Sequence, residues 1–400
     1  RLRVPGPCTR RSGTAQPAAC FSLHHLRPTT AVVTPIRLGS GAEFDLIRRF
    51  LEKSGPPGEG IVVGPGDDCA VFEAGRLAVS ADLSIEDVHF RRDWITPEEI
   101  GYRAAMASLS DLAAMAAEPI GVLVSLAAPR TDVPATAERC MDGVREAVEA
   151  VGGEILGGDL TRSPGPLALD VVVFGRASKP VLRSGARPGD EVWVTGELGG
   201  AAAAVAAWRE GKTPPAAARE AYARPRARTR EALWLAGRGV LHALIDLSDG
   251  LAGDLEHVAA ASNVGIVIDE ARVPVHRGAA SAAAGPVDVE AAPAREHVDR
   301  GAGPDYPEAA WGAGSAETEG GIDRALALAL SGGEDYELCF TAPAGIVSSI
   351  EEEFRDTFGV RLTRVGRVRE EPGVVVRRSD GSTRPAVDSA GYRHFSGGER

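Results

Sequence analysis

The sequence predicts an α/β protein of two domains, and three observations predict it. Helical and strand-like periodicities alternate from Val71 to Ile268, the pattern of strands packed under helices. The chain has 400 residues, more than one small domain needs and enough to bury a sizeable core. Hydrophobic residues make up 44% and charged residues 25%, a globular balance that excludes a wholly disordered, collagen-like or coiled-coil chain.

The elements follow in order. Residues 1–38 carry six Arg and no Asp or Glu; they are read as a disordered or misannotated extension outside the fold. The first domain is placed at 39–178. Phe44, Ile47, Phe50 and Leu51 recur at helical spacing, and Val71-Phe72 and Leu77–Ser80 read as strands. A helix starts at Pro97 with Thr96 as N-cap and Glu99 as its capping-box partner, running towards Met106. Ser110-Asp111 then leads into Leu112–Met115. Val122–Ala127 is a strand, Ala135–Val151 an amphipathic helix closed by Gly152-Gly153, and Leu167–Phe174 a strand. The boundary is expected between Gly175 and Gly185. The second domain, 179–395, holds a buried strand at Val192–Val194, a helix at Ala201–Trp208 and a strand at Gly265–Ile268. Residues 273–320 are an Ala/Gly/Pro/Glu stretch too long for an ordinary connection and are expected to be a disordered insertion. Order is expected to resume at Ala325, and 396–400 form a tail.

Several function classes are excluded. A net charge of −12 opposes nucleic-acid binding by phosphate neutralisation. No run approaches a membrane span. The five cysteines form no C-x-x-C pair, which signals neither zinc nor disulfides and fits a reducing, cytoplasmic compartment. Gly211-Lys212-Thr213 ends like a P-loop, but Ala206 stands where a Gly is required. The hydrolase elbow and the protein-kinase triplets are absent.

Carboxylates in small-residue turns carry the chemistry. They are Gly64–Asp68, Ser80-Ala81-Asp82, Ser110-Asp111, Gly157-Gly158-Asp159, Asp246-Leu247-Ser248-Asp249-Gly250 and Ser331–Asp335. Singly, each also suits a helix cap or a turn. Brought together, like charges at ~4 Å cost about 4 kcal/mol per pair at an effective dielectric of ~20. A hard divalent cation removes that cost, and Mg²⁺ commonly completes its shell with substrate phosphates.

The strings Gly66-Asp67-Asp68-Cys69-Ala70, Leu109-Ser110-Asp111-Leu112-Ala113-Ala114-Met115, Gly157-Gly158-Asp159, Arg183-Ser184-Gly185-Ala186, Pro188-Gly189-Asp190, Asp246–Leu251 and Ser331–Leu338 occur in this order, before Gly391-Tyr392-Arg393-His394-Phe395. As an ordered set they resemble the thiamine-monophosphate kinase family, of the aminoimidazole-ribonucleotide synthetase-like superfamily. The resemblance spans residues 41–395 outside the insertion.

It implies an α+β N-terminal domain whose mixed sheet pairs across a homodimer, and a C-terminal α/β domain. It implies ATP-dependent phosphorylation of thiamine monophosphate to thiamine diphosphate in the cytoplasm, with Mg²⁺, without nucleic acid or membrane. Matched residue by residue, Asp68, Ser80, Ala81, Asp82, Asp111, Asp159, Asp246 and Asp249 would hold metal, with Asp82, Asp111, Asp159 and Asp249 catalytic. Gly158, Asp159, Arg183 and Ser248 would touch ATP. His89, Glu334 and Ser389 would hold the acceptor. Three positions depart from the family pattern. Ala81 replaces a Thr, leaving only a backbone carbonyl contact to metal; Ser108 replaces an Asn; Ser389 replaces an aromatic. The alternatives are another ATP-dependent enzyme of the superfamily and a nucleotide-binding homologue without turnover.

Overall fold

The computed structural model describes residues 61–63, 70–72, 76–129, 135–283 and 321–386. The readings made on 1–38, Phe44–Leu51, Gly66–Cys69 and Ser389–Phe395 lie outside them.

The first sheet has six strands: β1 Ile61–Val63, β2 Ala70–Phe72, β3 Leu77–Ile85, β4 Glu118–Pro129, β5 Glu154–Ser163 and β6 Ala168–Arg176. Their spatial order is β1-β2-β3-β6-β4-β5. The sheet is mixed, because β5 runs parallel to β4 while the other pairs are antiparallel. Alternation along β4 and β6 sends Val122, Val124, Leu126, Leu169, Val171 and Val173 to one buried face. Two helices belong to that core, α1 Pro97–Ala114 and α2 Ala135–Ala150.

α1 is the centre of the molecule. Thr96 and Glu99 form the expected capping box, which fixes where it starts. From Ile100 to Ala114 every residue except Asp111 is buried. A helix apolar on all sides is one packed on all sides. α1 does not stop near Met106, as expected from the sequence. Ala104, Ala105 and Ala107 are small enough to let both neighbouring layers approach, so the helix passes through Ser110-Asp111 without a break. That removes the reading of Asp111 as an N-cap.

The second half holds β7 Glu191–Thr195, β8 Ala243–Asp246, β9 Gly265–Asp269, β10 Leu338–Ala342, β11 Leu362–Arg369, β12 Gly373–Arg377 and β13 Thr383–Pro385. They form one sheet in the order β13-β12-β9-β11-β7-β10-β8, parallel only at β12–β9. Its helices are α3 Gly200–Arg209, α4 Ala216–Ala223, α5 Thr229–Gly237, α6 Leu251–Ser262, α7 Arg277–Ala283, α8 Gly321–Ser331 and α9 Glu351–Phe358. α7 corrects one expectation, for residues 273–283 are folded. Val273 and Ala279 are buried and Val275 bridges to Leu198, so two apolar anchors hold a segment whose composition reads as filler. Helix α8 likewise starts four residues before Ala325.

Candidate active site

Two adjacent residues of α1 reach both sheets. The Asp111 carboxylate accepts a 2.5 Å hydrogen bond from Ser80 Oγ on β3. Ser110 Oγ donates to Asp246 Oδ2 at 2.6 Å, at the end of β8. In an otherwise buried run, Asp111 alone is half-exposed, so at this position the helix reaches solvent. Ser80 and Asp82 lie on the helix-facing side of β3, in register with buried Val173 and Val171.

The segment after β8 brings in Ser248 and Asp249. It is zipped to the Ser331–Asp335 loop as a continuation of the β8–β10 ladder. Leu247 N donates to Glu337 O, Tyr336 N to Leu247 O and Glu334 N to Ser248 O, each at 2.8 Å. Two motifs 80 residues apart in sequence are thus neighbouring strand ends. Backbones this close leave no space for side chains. A Cβ on Gly250, whose φ is +104°, would stand 2.8 Å from the Ser331 carbonyl carbon, and one on Gly333 2.4 Å from Ser248 O. Gly250→Ala is therefore expected to cost more than about 1 kcal/mol of stability, with a loss of activity because Asp249 moves. A chemical denaturation midpoint equal to wild type would show that the loop repacks freely.

Helix α6 adds two residues that sequence reasoning missed. Ligand atoms of Asp249, Asp254 and His257 lie within 4.8 Å of one another. Asp254 Oδ2 accepts from Asp249 N at 3.1 Å. Burial pushes the Asp254 carboxyl well above the usual range, Asp249 and Asp246 push it further, and Arg183 opposes them. Three groups expected at the site, Asp246, Asp249 and Arg183, therefore share one electrostatic neighbourhood with Asp254. Asp254 and His257 are three apart, on one face of the first turns of a helix, and that spacing was their legible signal.

The acceptor candidates stand at the other end of α1. The Arg103 guanidinium, 5% exposed, pairs with Glu334 Oε1 and donates to Tyr222 O at 2.8 Å. It also lies 4.0 Å over the Tyr222 ring. Burial raises the Glu334 carboxyl, Arg103 opposes that and Asp82 adds to it. His89 Nδ1 accepts from Ile85 N at 3.0 Å, so the neutral ring carries its hydrogen on Nε2. Its carbonyl accepts from Tyr222 Oη at 2.9 Å. The Trp94–Trp208 stack, with centroids 4.9 Å apart, pins the same segment to α3.

Other members of the carboxylate pattern turn out structural. Asp335 accepts from Gly199 N with both oxygens, at 3.0 and 2.8 Å, capping α3 across the fold. Asp190 closes its own turn on Arg187 N and meets His242 Nδ1. Ala81 points to the face of β3 opposite Ser80 and Asp82. The buried Ser108 hydroxyl donates to Ala104 O at 3.4 Å, so this departure orphans no polar group.

Gly158 and Asp159 stand apart. They lie on β5, three strands from Asp82, or about 14 Å across the sheet. Asp159 is level with Ser125, on the face of the sheet opposite Val124 and Leu126. Among the described residues it therefore does not share the sheet face of Asp82. Asp68 and Ser389 lie outside the described residues.

The chain matches the AIR synthase related protein family, its N-terminal domain over residues 66–177 and its C-terminal domain over 187–290. It is 32% identical over 363 residues to the thiamine-monophosphate kinase of Escherichia coli K12, covering 88% of this chain and 98% of that protein. The chain belongs to the thiamine-monophosphate kinase family. The family's protein from Pyrococcus horikoshii is 30% identical, covering 89% of this chain and 97% of that one. The solved structure of AaThiL complexed with AMPPCP and TMP is 28% identical, with a TM-score of 0.67, covering 89% of this chain and 97% of that chain. Beyond the family, the hydrogenase maturation protein HypE shares the fold at 18% identity, with a TM-score of 0.59 over 78% of this chain and 88% of that one. Among the described residues no helix is long and apolar enough to cross a membrane.

Proposed function

We propose that this chain transfers the γ-phosphoryl group of ATP to the phosphate of thiamine monophosphate, giving thiamine diphosphate and ADP. The observation that carries the reading is the turn of α1 at Ser110-Asp111, where Asp111 meets Ser80 of the first sheet and Ser110 meets Asp246 of the second. Family membership and the nucleotide and TMP held by AaThiL support the substrates.

The acceptor needs little activation. A phosphate monoester has its second pKa near ~6 and is largely dianionic at pH 7, so its oxygen attacks the γ-phosphorus without a strong base. The bond to the β–γ bridging oxygen breaks and ADP leaves. The obstacle is joining two polyanions. Ser80, Asp82, Asp111, Asp246 and Asp249 offer oxygen ligands, and burial, Asp249 and Asp246 together raise the neighbouring Asp254; this set fits a hard divalent cation. These residues would hold Mg²⁺, which would there supply neutralisation of phosphate charge and stabilisation of the transferring group. The residues' own work is to fix that charge: Arg183 stands beside the carboxylates, and His89 and Glu334 hold the acceptor. A cytoplasmic location is supported by the five scattered cysteines, which fit a reducing compartment.

We also propose a homodimer paired through the first sheet. Among the described residues, helices cover only one face of that sheet. Leu83 and Leu123 are 48% and 37% exposed on the other, and Leu156 and Leu160 are 49% and 59% exposed on the edge strand β5. An uncovered apolar sheet face with an open edge invites a second copy. Gly158 and Asp159 lie on that edge, so their nucleotide roles are played at the subunit junction.

The test is thiamine diphosphate formation by purified protein from thiamine monophosphate and ATP, with and without Mg²⁺. Mg²⁺-dependent product is expected. Folded, ATP-binding protein that forms none would overturn the reading in favour of another phosphate acceptor.

A further inference from the structure

Arg103 is the one basic residue in the buried run of α1, and a buried cation is retained only where it is paired. Its partners come from two other elements: the Glu334 carboxylate from the loop before β10 and the Tyr222 carbonyl from α4. Burial would lower the guanidinium pKa, yet it is raised, because Glu334 and, less strongly, Asp82 favour the cation.

Glu334 needs such a partner. Its backbone lies in the left-handed region at φ +71°, as does Tyr336 at +52°, a strained arrangement that surrounding contacts must hold. Its side chain is 26% exposed. Arg103 occupies Oε1, and among the described residues no donor reaches Oε2. Arg103 precedes Ser110 and Asp111 on the same rigid helix by seven and eight residues, about 10–12 Å of rise.

We propose that Arg103 is the positioning residue of the acceptor site: by holding one Glu334 oxygen it presents the other to the N–H donors of the aminopyrimidine, about two helical turns from the phosphate-binding carboxylates. α1 thereby spaces the organic end of the acceptor from its phosphate. The inference rests on reading this site as a thiamine-monophosphate kinase.

Arg103→Met keeps most of the side chain's length and removes the donors. It is expected to raise KM for thiamine monophosphate about 10- to 100-fold, the usual loss when an orienting contact is removed, while KM for ATP changes by less than about 3-fold. Arg103→Lys retains a single donor group and is expected to fall between. The double variant Arg103→Met/Glu334→Gln should be no worse than Glu334→Gln alone within about 2-fold, because both act through one carboxylate.

Acceptor binding by Arg103→Met should also acquire a pH dependence. Without the guanidinium, burial and Asp82 keep the Glu334 carboxyl raised, and the facing Tyr222 and Tyr336 stay neutral because burial raises both. Affinity should therefore fall as the pH is lowered, whereas wild type stays flatter.

Calorimetric binding of thiamine monophosphate to nucleotide-free protein gives the same ranking without turnover, and Arg103→Lys carries the test if Arg103→Met does not fold. Equal shifts in both KM values, or single-variant losses that multiply in the double variant, would overturn the proposal. If Glu334→Gln weakens acceptor binding and neither Arg103 variant does, Arg103 is excluded while the kinase reading stands. Wild type that binds no thiamine monophosphate would overturn both.

Discussion

Asp111→Asn is expected to lower turnover by about 10³-fold while the protein stays folded. The magnitude follows from the several kcal/mol that a correctly held divalent cation contributes to phosphoryl transfer. Asn preserves the shape that Ser80 Oγ meets at 2.5 Å, but it removes a full charge from the only half-exposed position in the buried part of α1. Stability should hold or rise, since one like charge leaves a crowded cluster, the usual trade at a site built for function. Calorimetry of Mg²⁺ with a non-hydrolysable nucleotide should show the affinity falling in parallel with turnover. Near-normal activity at saturating Mg²⁺ would remove Asp111 from the metal-binding set.

The variant also shows what was legible in the sequence. Thr96 and Glu99 marked the start of α1 because capping is local chemistry. Its end near Met106 was misplaced because nothing local to Ala104–Ala107 reveals that layers on both sides press on those positions. Motifs single out Asp82, Asp111, Asp246 and Asp249 as candidates, but residue type alone does not separate them from Asp190 and Asp335, whose carboxylates close a turn and cap a helix. That distinction depends on partners more than 130 residues away in the case of Gly199 and Asp335. Arg103 left a trace, a lone charge within an apolar helical run, which becomes informative only once Glu334 is seen beside it. Residues 273–283 hid a folded segment because two anchors, Val273 and Ala279, are enough to seat it.

Mixing two inactive variants is expected to restore activity if the junction at β5 completes the site. Asp82 and Asp159 cannot serve one phosphate cluster within a chain, since three strand spacings, about 14 Å, and opposite sheet faces separate them. In the proposed homodimer, paired through the first sheet, Asp159 of one subunit would serve the site that holds Asp82 of the other. Asp82→Asn and Asp159→Asn should each be nearly inactive alone. After random exchange of subunits, half the dimers are mixed, and each mixed dimer keeps one site in which both positions are wild type. Activity should therefore rise to about a quarter of wild type. A site built within one chain yields no intact pair in any combination, so mixtures would stay as inactive as their parents. The exchange itself can be followed by a size tag on one variant. Leu160→Asp should abolish both tag exchange and rescue, because a charge on the exposed edge residue opposes burial against a second copy.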